Sequence, residues 1–225
     1  MKRTHLVVIS LGLVAVLALA SCAVPGPYQQ PYPYGSGGMM GPGMMGPGMM
    51  GGLGGYNPNG KQITIDAAAG AVERYLRTYY GRDLALAEVM EFNQNFYAEV
   101  EEEDTGIHAM ELLIDKYTGQ VYPETGPNMM WNAKYGMMSG MMWGTLTPSG
   151  PMTVTEEAAK GYAEEFLKSY LPGAKVGDAD RFYGYYTIEI LSNDQIYGML
   201  SVNGYTGQVW YHSWHGAFIA MKELS

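Results

Sequence analysis

Twelve of the 18 methionines in this 225-residue chain stand in six Met-Met pairs, at 39–40, 44–45, 49–50, 129–130, 137–138 and 141–142. A thioether stays neutral at any pH and is soft and polarisable, so paired thioethers on irregular chain suit Cu(I) or Ag(I). Met129, Met130, Met137, Met138, Met141 and Met142 form the candidate soft-metal group, with Trp131 and Trp143 placed to shield an ion through a cation–π contact. Histidine supplies a second candidate pair. His212 and His215, three residues apart in Trp210-Tyr211-His212-Ser213-Trp214-His215-Gly216, can share a metal on one helical turn or a tight loop. His108 stands alone in a strand and is read as structural or exposed. The bland alternatives are a low-complexity spacer for the first three Met pairs, interdomain filler for the others, and a polar loop bonded to backbone for the two histidines.

No pattern for covalent or phosphate chemistry accompanies these ligands. GxSxG, HExxH and a phosphate loop are missing from the sequence. Gly41 to Gly46 satisfies GxGxxG only inside a tract with no strand before it and no helix after it. The reading is therefore non-enzymatic. A formal net charge of -9, from 22 acidic and 13 basic side chains, argues against a nucleic-acid partner, which requires clustered Lys and Arg. The acidic run Glu99, Glu101, Glu102, Glu103, Asp104 has no Ca²⁺-loop spacing and reads as a solvated hairpin.

The single cysteine excludes an internal disulfide and a cysteine-rich zinc site. Its context gives it another use. Lys2 and Arg3 precede an apolar run from Leu6 to Ala20, too short for an ordinary spanning helix, and the run ends in Leu19-Ala20-Ser21-Cys22. These four residues resemble the lipobox of bacterial lipoproteins. The resemblance implies cleavage before Cys22, a diacylglycerol on its sulfur and an acyl chain such as palmitate on the new amino terminus, which together anchor the chain to a membrane. Ala23 stands where an aspartate would resemble an inner-membrane retention signal, which favours the periplasmic face of the outer membrane in a Gram-negative source. Removal of 1–21 leaves 11 basic and 22 acidic side chains, net -11.

The elements that must position these groups begin after residue 60. Residues 22–60 are Gly, Pro, Tyr and Met-rich, with a repeat of period five from Met39, and read as a disordered tether. Thr64 caps an amphipathic helix that runs to about Gly81. Leu84 to Phe92, Phe96 to Glu103 and Ile107 to Asp115 read as strands. The same order returns: Val154-Thr155-Glu156-Glu157-Ala158-Ala159 matches Ile63 to Ala68 at an offset of 91, and Tyr117-Thr118-Gly119-Gln120-Val121 recurs as Tyr205-Thr206-Gly207-Gln208-Val209 at an offset of 88. The fold class expected is α+β, with two small repeated units, each one helix packed on an antiparallel β-meander.

A Thr-x-x-Ala helix cap, alternating strands and a closing hairpin with "Asp or Asn, two residues, Thr-Gly-x-Val" resemble the PepSY domain, over roughly 61–125 and 151–211. The resemblance implies an extracytoplasmic binding or peptidase-modulating module with a protein partner in the envelope. The expected organisation is signal peptide 1–21, tether 22–60, first unit 61–125, Met/Trp-rich linker 126–150 without regular structure, second unit 151–216 and tail 217–225. Soft-metal binding or sensing through the methionines, with Cu(I) as the ion, is the alternative function.

Overall fold

The computed structural model describes residues 60–81, 83–136 and 150–224, all within one compact unit. The signal segment, Cys22, the Met repeat of the tether, and Met137, Met138, Met141 and Met142 lie outside the described residues.

Helix α1 (Ile65–Tyr79) opens at Thr64, whose Oγ1 accepts a hydrogen bond from the Ala67 amide at 3.2 Å, and closes where Gly81, at φ 85°, turns its amide back to the Leu76 carbonyl. Ala68, Ala69, Val72 and Leu76 recur at helical spacing and form its buried stripe. That stripe packs on one face of a five-stranded antiparallel sheet made of β1 (Leu84–Phe92), β2 (Phe96–Glu102), β3 (His108–Ile114), β4 (Val121–Pro123) and β9 (Phe218–Glu223), in the order β4-β3-β2-β1-β9. Phe96, Ala98, Val100, Leu112 and Ile114 face the helix. Helix α3 (Glu156–Tyr170) opens at Thr155 in the same way and lays Ala159, Ala163 and Leu167 on a four-stranded antiparallel sheet. That sheet contains β5 (Lys175–Arg181), β6 (Tyr185–Ser192), β7 (Gln195–Asn203) and β8 (Val209–Tyr211) in chain order. The chain is thus a mixed α+β protein with antiparallel sheets.

The recurring pentads are turns. Asp115 Oδ1 accepts from the Tyr117 and Thr118 amides, and Asn203 Oδ1 accepts from those of Tyr205 and Thr206. Gly119 and Gly207 follow at φ 69° and 71°, a conformation that excludes most other residues.

Alternation along each strand leaves a second face on each sheet, and these helix-free faces meet. Met90, Phe92, Tyr97 and Leu113 of the first sheet pack with Met199 of the second, and Tyr185 and Thr187 of β6 reach Glu111 of β3. Three expectations change here. Residues 217–225 are not a tail: Phe218–Glu223 crosses back and pairs with β1 (Phe92↔Phe218, Met90↔Met221, Glu88↔Glu223), because the open edge of β1 offers unpaired backbone groups. The linker is not wholly irregular: Pro127–Met130 forms a short helix α2, with proline at its first turn, where its missing N–H costs nothing. Nor is the acidic run a solvated hairpin throughout. Glu99 faces the seam between the sheets, and Glu102 accepts hydrogen bonds from Lys134, Tyr135 and Tyr183, so that one buried carboxylate clamps the linker and the second sheet's β5–β6 turn. No helix among the described residues is long and apolar enough to cross a membrane.

Candidate metal centre

The seam is polar, and its far end holds the two histidines. β8 stops at Tyr211, the chain turns through His212 to Gly216, and β9 begins at Phe218. The β1–β2 turn clasps this loop: the Asn93 amide donates to the Ala217 carbonyl, Gln94 to His215, and Asn95 Nδ2 to Trp214. Gly216, at φ 77°, lies so close to this turn that a Cβ there would stand 1.9 Å from Asn93 Oδ1, so a side chain would be strained and would displace Asn93.

The clasp carries both imidazoles into the interior. His212 and His215 are 2% and 1% exposed, and the carboxyl that meets them, Glu124, is 0% exposed. Glu124 Oε1 lies 3.1 Å from His215 Nε2 and 3.6 Å from His212 Nδ1, and the three ligand atoms all lie within 4.8 Å of one another. Neither contact is an aligned hydrogen bond, because His215 Nε2 and His212 Nδ1 have no hydrogen-bond partner. Four-coordinate donors about 2.0–2.1 Å from a zinc-sized ion stand roughly 3.3–3.4 Å apart. The observed spacings bracket that value.

The opposite ring nitrogens are held. Asn95 spends its amide N–H on Trp214, so its Oδ1, 2.9 Å from His215 Nδ1, accepts the imidazole proton. That fixes the tautomer and leaves a lone pair on Nε2, facing Glu124. His212 Nε2 lies 2.8 Å from Ser201 Oγ. Trp214 stacks on His212 at 4.8 Å and donates its Nε1–H to Glu124 Oε1 at 3.0 Å, while Phe92 stacks on His215 at 4.6 Å. Burial, then the neighbouring His215, pushes His212 well below the ordinary imidazole range. Burial alone takes His215 down to about 3. Both rings are therefore neutral, the form that binds metal. Burial pushes Glu124 up to about 8, against the donation from Trp214 and a hydrogen bond with Glu111.

From His212 a chain of hydroxyls and carboxyls runs along the seam. Ser201 Oγ lies 3.1 Å from Thr187 Oγ1, Thr187 donates to Glu111 Oε1 at 2.7 Å, and Tyr97 OH stands 2.7 Å from that oxygen and 2.6 Å from Glu99 Oε1. Tyr97 has one hydroxyl proton, so one of the two carboxyls must be protonated to complete the bridge. Burial pushes both Glu99 and Glu111 up, the direction that favours such a shared proton.

Of the residues singled out in the sequence, His212 and His215 are brought together and sealed, with side chains rather than backbone holding their rings. Met129 is half-buried and Met130 is 36% exposed on α2, a few residues past Glu124. Glu124 was not among the candidates. The signal for it lay in the repeat: Glu124 stands three residues after Val121 of one pentad and His212 three residues after Val209 of the other.

No family model matches the chain, and no curated protein matches it. Among solved structures the chain is similar to the Bacillus megaterium YpeB C-terminal domain, at 16% identity and a TM-score of 0.32, over 73% of this chain and 67% of that one.

Proposed function

We propose that this chain is a non-enzymatic metal-binding lipoprotein of the cell envelope, anchored through Cys22. Its two PepSY-like units close over one divalent ion held by Glu124, His212 and His215. The observation that carries the reading is the pair of fully buried imidazoles that face Glu124 Oε1 with nitrogens that make no hydrogen bond, while Asn95 and Ser201 hold their opposite nitrogens. Two neutral imidazoles and a carboxyl that releases its proton to solvent when the ion binds suit a borderline ion, with Zn(II) first among those commonly available. Burial argues for a structural or storage role, because a catalytic ion keeps a position open to substrate. The test is elemental analysis of the full chain after chelator stripping and Zn(II) reloading. One tightly held Zn(II) per chain, lost in Glu124→Gln and His215→Ala, is expected. A stripped chain that takes up no stoichiometric Zn(II) would overturn the reading.

A second reading, protein binding or peptidase modulation, is favoured by β5, a seven-residue edge strand that presents a row of backbone groups to an extended peptide. Recovery of a specific envelope protein by the anchored chain, abolished by a proline in β5, is its expected outcome.

A further inference from the structure

At the other end of the seam from Glu124, the two sheets leave a cleft of about 230 Å³ lined by Glu88, Glu99, Glu101, His108, Asp180 and Glu223, with Ala87 at its side. Among these described residues His108 is the one basic group. The acids form a row in strict cross-strand register, Glu223 opposite Glu88, Glu88 opposite Glu99 and Glu99 opposite Glu111, across four strands of one sheet. Like charges directly opposite each other destabilise a sheet, so such a row calls for a compensating cation or for bound protons. A β-bulge between Leu86 and Glu88 creates the row, because without it Glu88 would share the helix-facing side with Leu84 and Leu86.

Two features point to a ligand rather than to protons alone. Glu99 is 1% exposed, yet its Oε2 makes no hydrogen bond, while its Oε1 is fixed by Tyr97. His108 Nδ1 lies 2.7 Å from that oxygen, within ion-pair distance, yet neither atom has a hydrogen bond, so the contact lacks the alignment of an N–H donating to a carboxylate. Asp180 Oδ1, from the second sheet, stands 3.5 Å from His108 Nε2, and the three side chains offer ligand atoms all within 4.8 Å of one another.

We propose that Glu99, His108 and Asp180 form a second divalent-metal site, open to the cleft, in which water completes the coordination and Glu88 and Glu223 add outer negative charge. One imidazole, two carboxylates and retained water suit a hard to borderline ion such as Mn(II). The site shares no ligand with Glu124, His212 and His215, so it stands or falls separately from that centre.

Mn(II) is the probe, because the soft thioethers of the Met pairs do not compete for it. The full chain is stripped and titrated with Mn(II), with the spectrum of free aqueous Mn(II) read by electron paramagnetic resonance. One Mn(II) is expected at the cleft, whatever the buried centre takes up, with affinity weakened roughly tenfold or more in Asp180→Asn and in His108→Gln and unchanged in Glu124→Gln. Asp180 is partly exposed, and circular dichroism confirms that its variant folds. Absence of Mn(II) binding to the wild-type chain, or wild-type affinity in Asp180→Asn, would overturn the proposal. Loss of binding in Glu124→Gln alone would place the ion in the buried centre, overturning the cleft site and leaving the buried one intact.

Discussion

Replacing Ser201 by alanine removes one hydroxyl that touches no proposed metal ligand atom, yet the geometry makes it a sharp test of the buried centre. Ser201 Oγ holds His212 Nε2 at 2.8 Å, and His212 offers its other nitrogen to the centre. Deleting a group that orients a ligating histidine weakens metal affinity by about 10–100-fold. For a chain at a Zn(II) concentration 100 times its Kd, bound metal stabilises the fold by about 2.7 kcal/mol. In Ser201→Ala at the same Zn(II) concentration this falls to about 1.4 kcal/mol for a tenfold loss and about 0.4 kcal/mol for a hundredfold loss. At about 2–4 °C per kcal/mol for a domain of this size, the zinc-induced rise in Tm drops from about 5–10 °C to about 1–5 °C. The apo variant also melts lower, since an unpaired buried nitrogen costs about 1–3 kcal/mol, so the readout is the difference between apo and loaded Tm for each protein. Calorimetry with and without Zn(II), backed by chelator competition, measures it. A variant with lower apo Tm but an undiminished zinc-induced rise would show that Ser201 serves packing alone and that His212 is not a ligand.

The Glu102 clamp gives a pH prediction. Burial would raise this carboxyl, but donation from Lys134, Tyr135, Tyr183 and Thr105 holds it at about 2, below its ordinary value near 4.3. A depressed folded-state value means that the stabilisation is fully present above about pH 4.3 and disappears as the pH falls towards 2. Lys134 is half exposed, so the clamp contributes only about 1–2 kcal/mol. Thermal melts of wild type and Glu102→Gln should differ at pH 6 and converge between pH 4 and 2. Lys116 is 1% exposed and donates to Glu91 Oε1 and to the Phe92 carbonyl, both at 2.7 Å. Lys116→Ala should cost about 3–5 kcal/mol by denaturant unfolding, because it leaves a partly buried carboxylate and a carbonyl without a donor. Truncation after Tyr211 removes His212, His215 and β9 together. It should leave the β1 edge open, and light scattering should report self-association.

Much of the fold was legible because local rules dominate it. Thr64 and Thr155 are read as caps from their hydroxyls and the periodicity that follows. The strand Leu84–Phe92 is readable from its β-prone residues and bounding turns, and Thr-Gly turns announce themselves. The pairing of β9 with β1 was not legible, since partner choice for a short strand depends on an edge more than a hundred residues away. His108 was read as lone because its neighbours Glu99 and Asp180 come from β2 and β5, which sequence distance hides. A carboxylate in an acidic run looks solvated until strand alternation and a bulge decide which face it takes.

The enclosed carboxyls and histidines belong to the pair of halves and to neither alone. In either half the face opposite the helix would be open to water, and Glu99, Glu111 and Glu124 would be ordinary exposed acids. Apposition of the two faces buries all three carboxyls, and an unpaired buried charge is costly enough that each must be protonated, hydrogen-bonded or bound to a cation. Glu111 meets the demand with three hydroxyl donors, two of them, Tyr185 and Thr187, from the opposite sheet. Glu124 and Glu99 instead each face histidine nitrogens that make no hydrogen bond. Neighbouring acids satisfied by the protein alone therefore mark, by contrast, the two places where the seam is built to take something from outside it. An ion at Glu124 also accounts for the two mixed partners, Asn95 from the first half and Ser201 from the second, that turn both imidazoles toward one point.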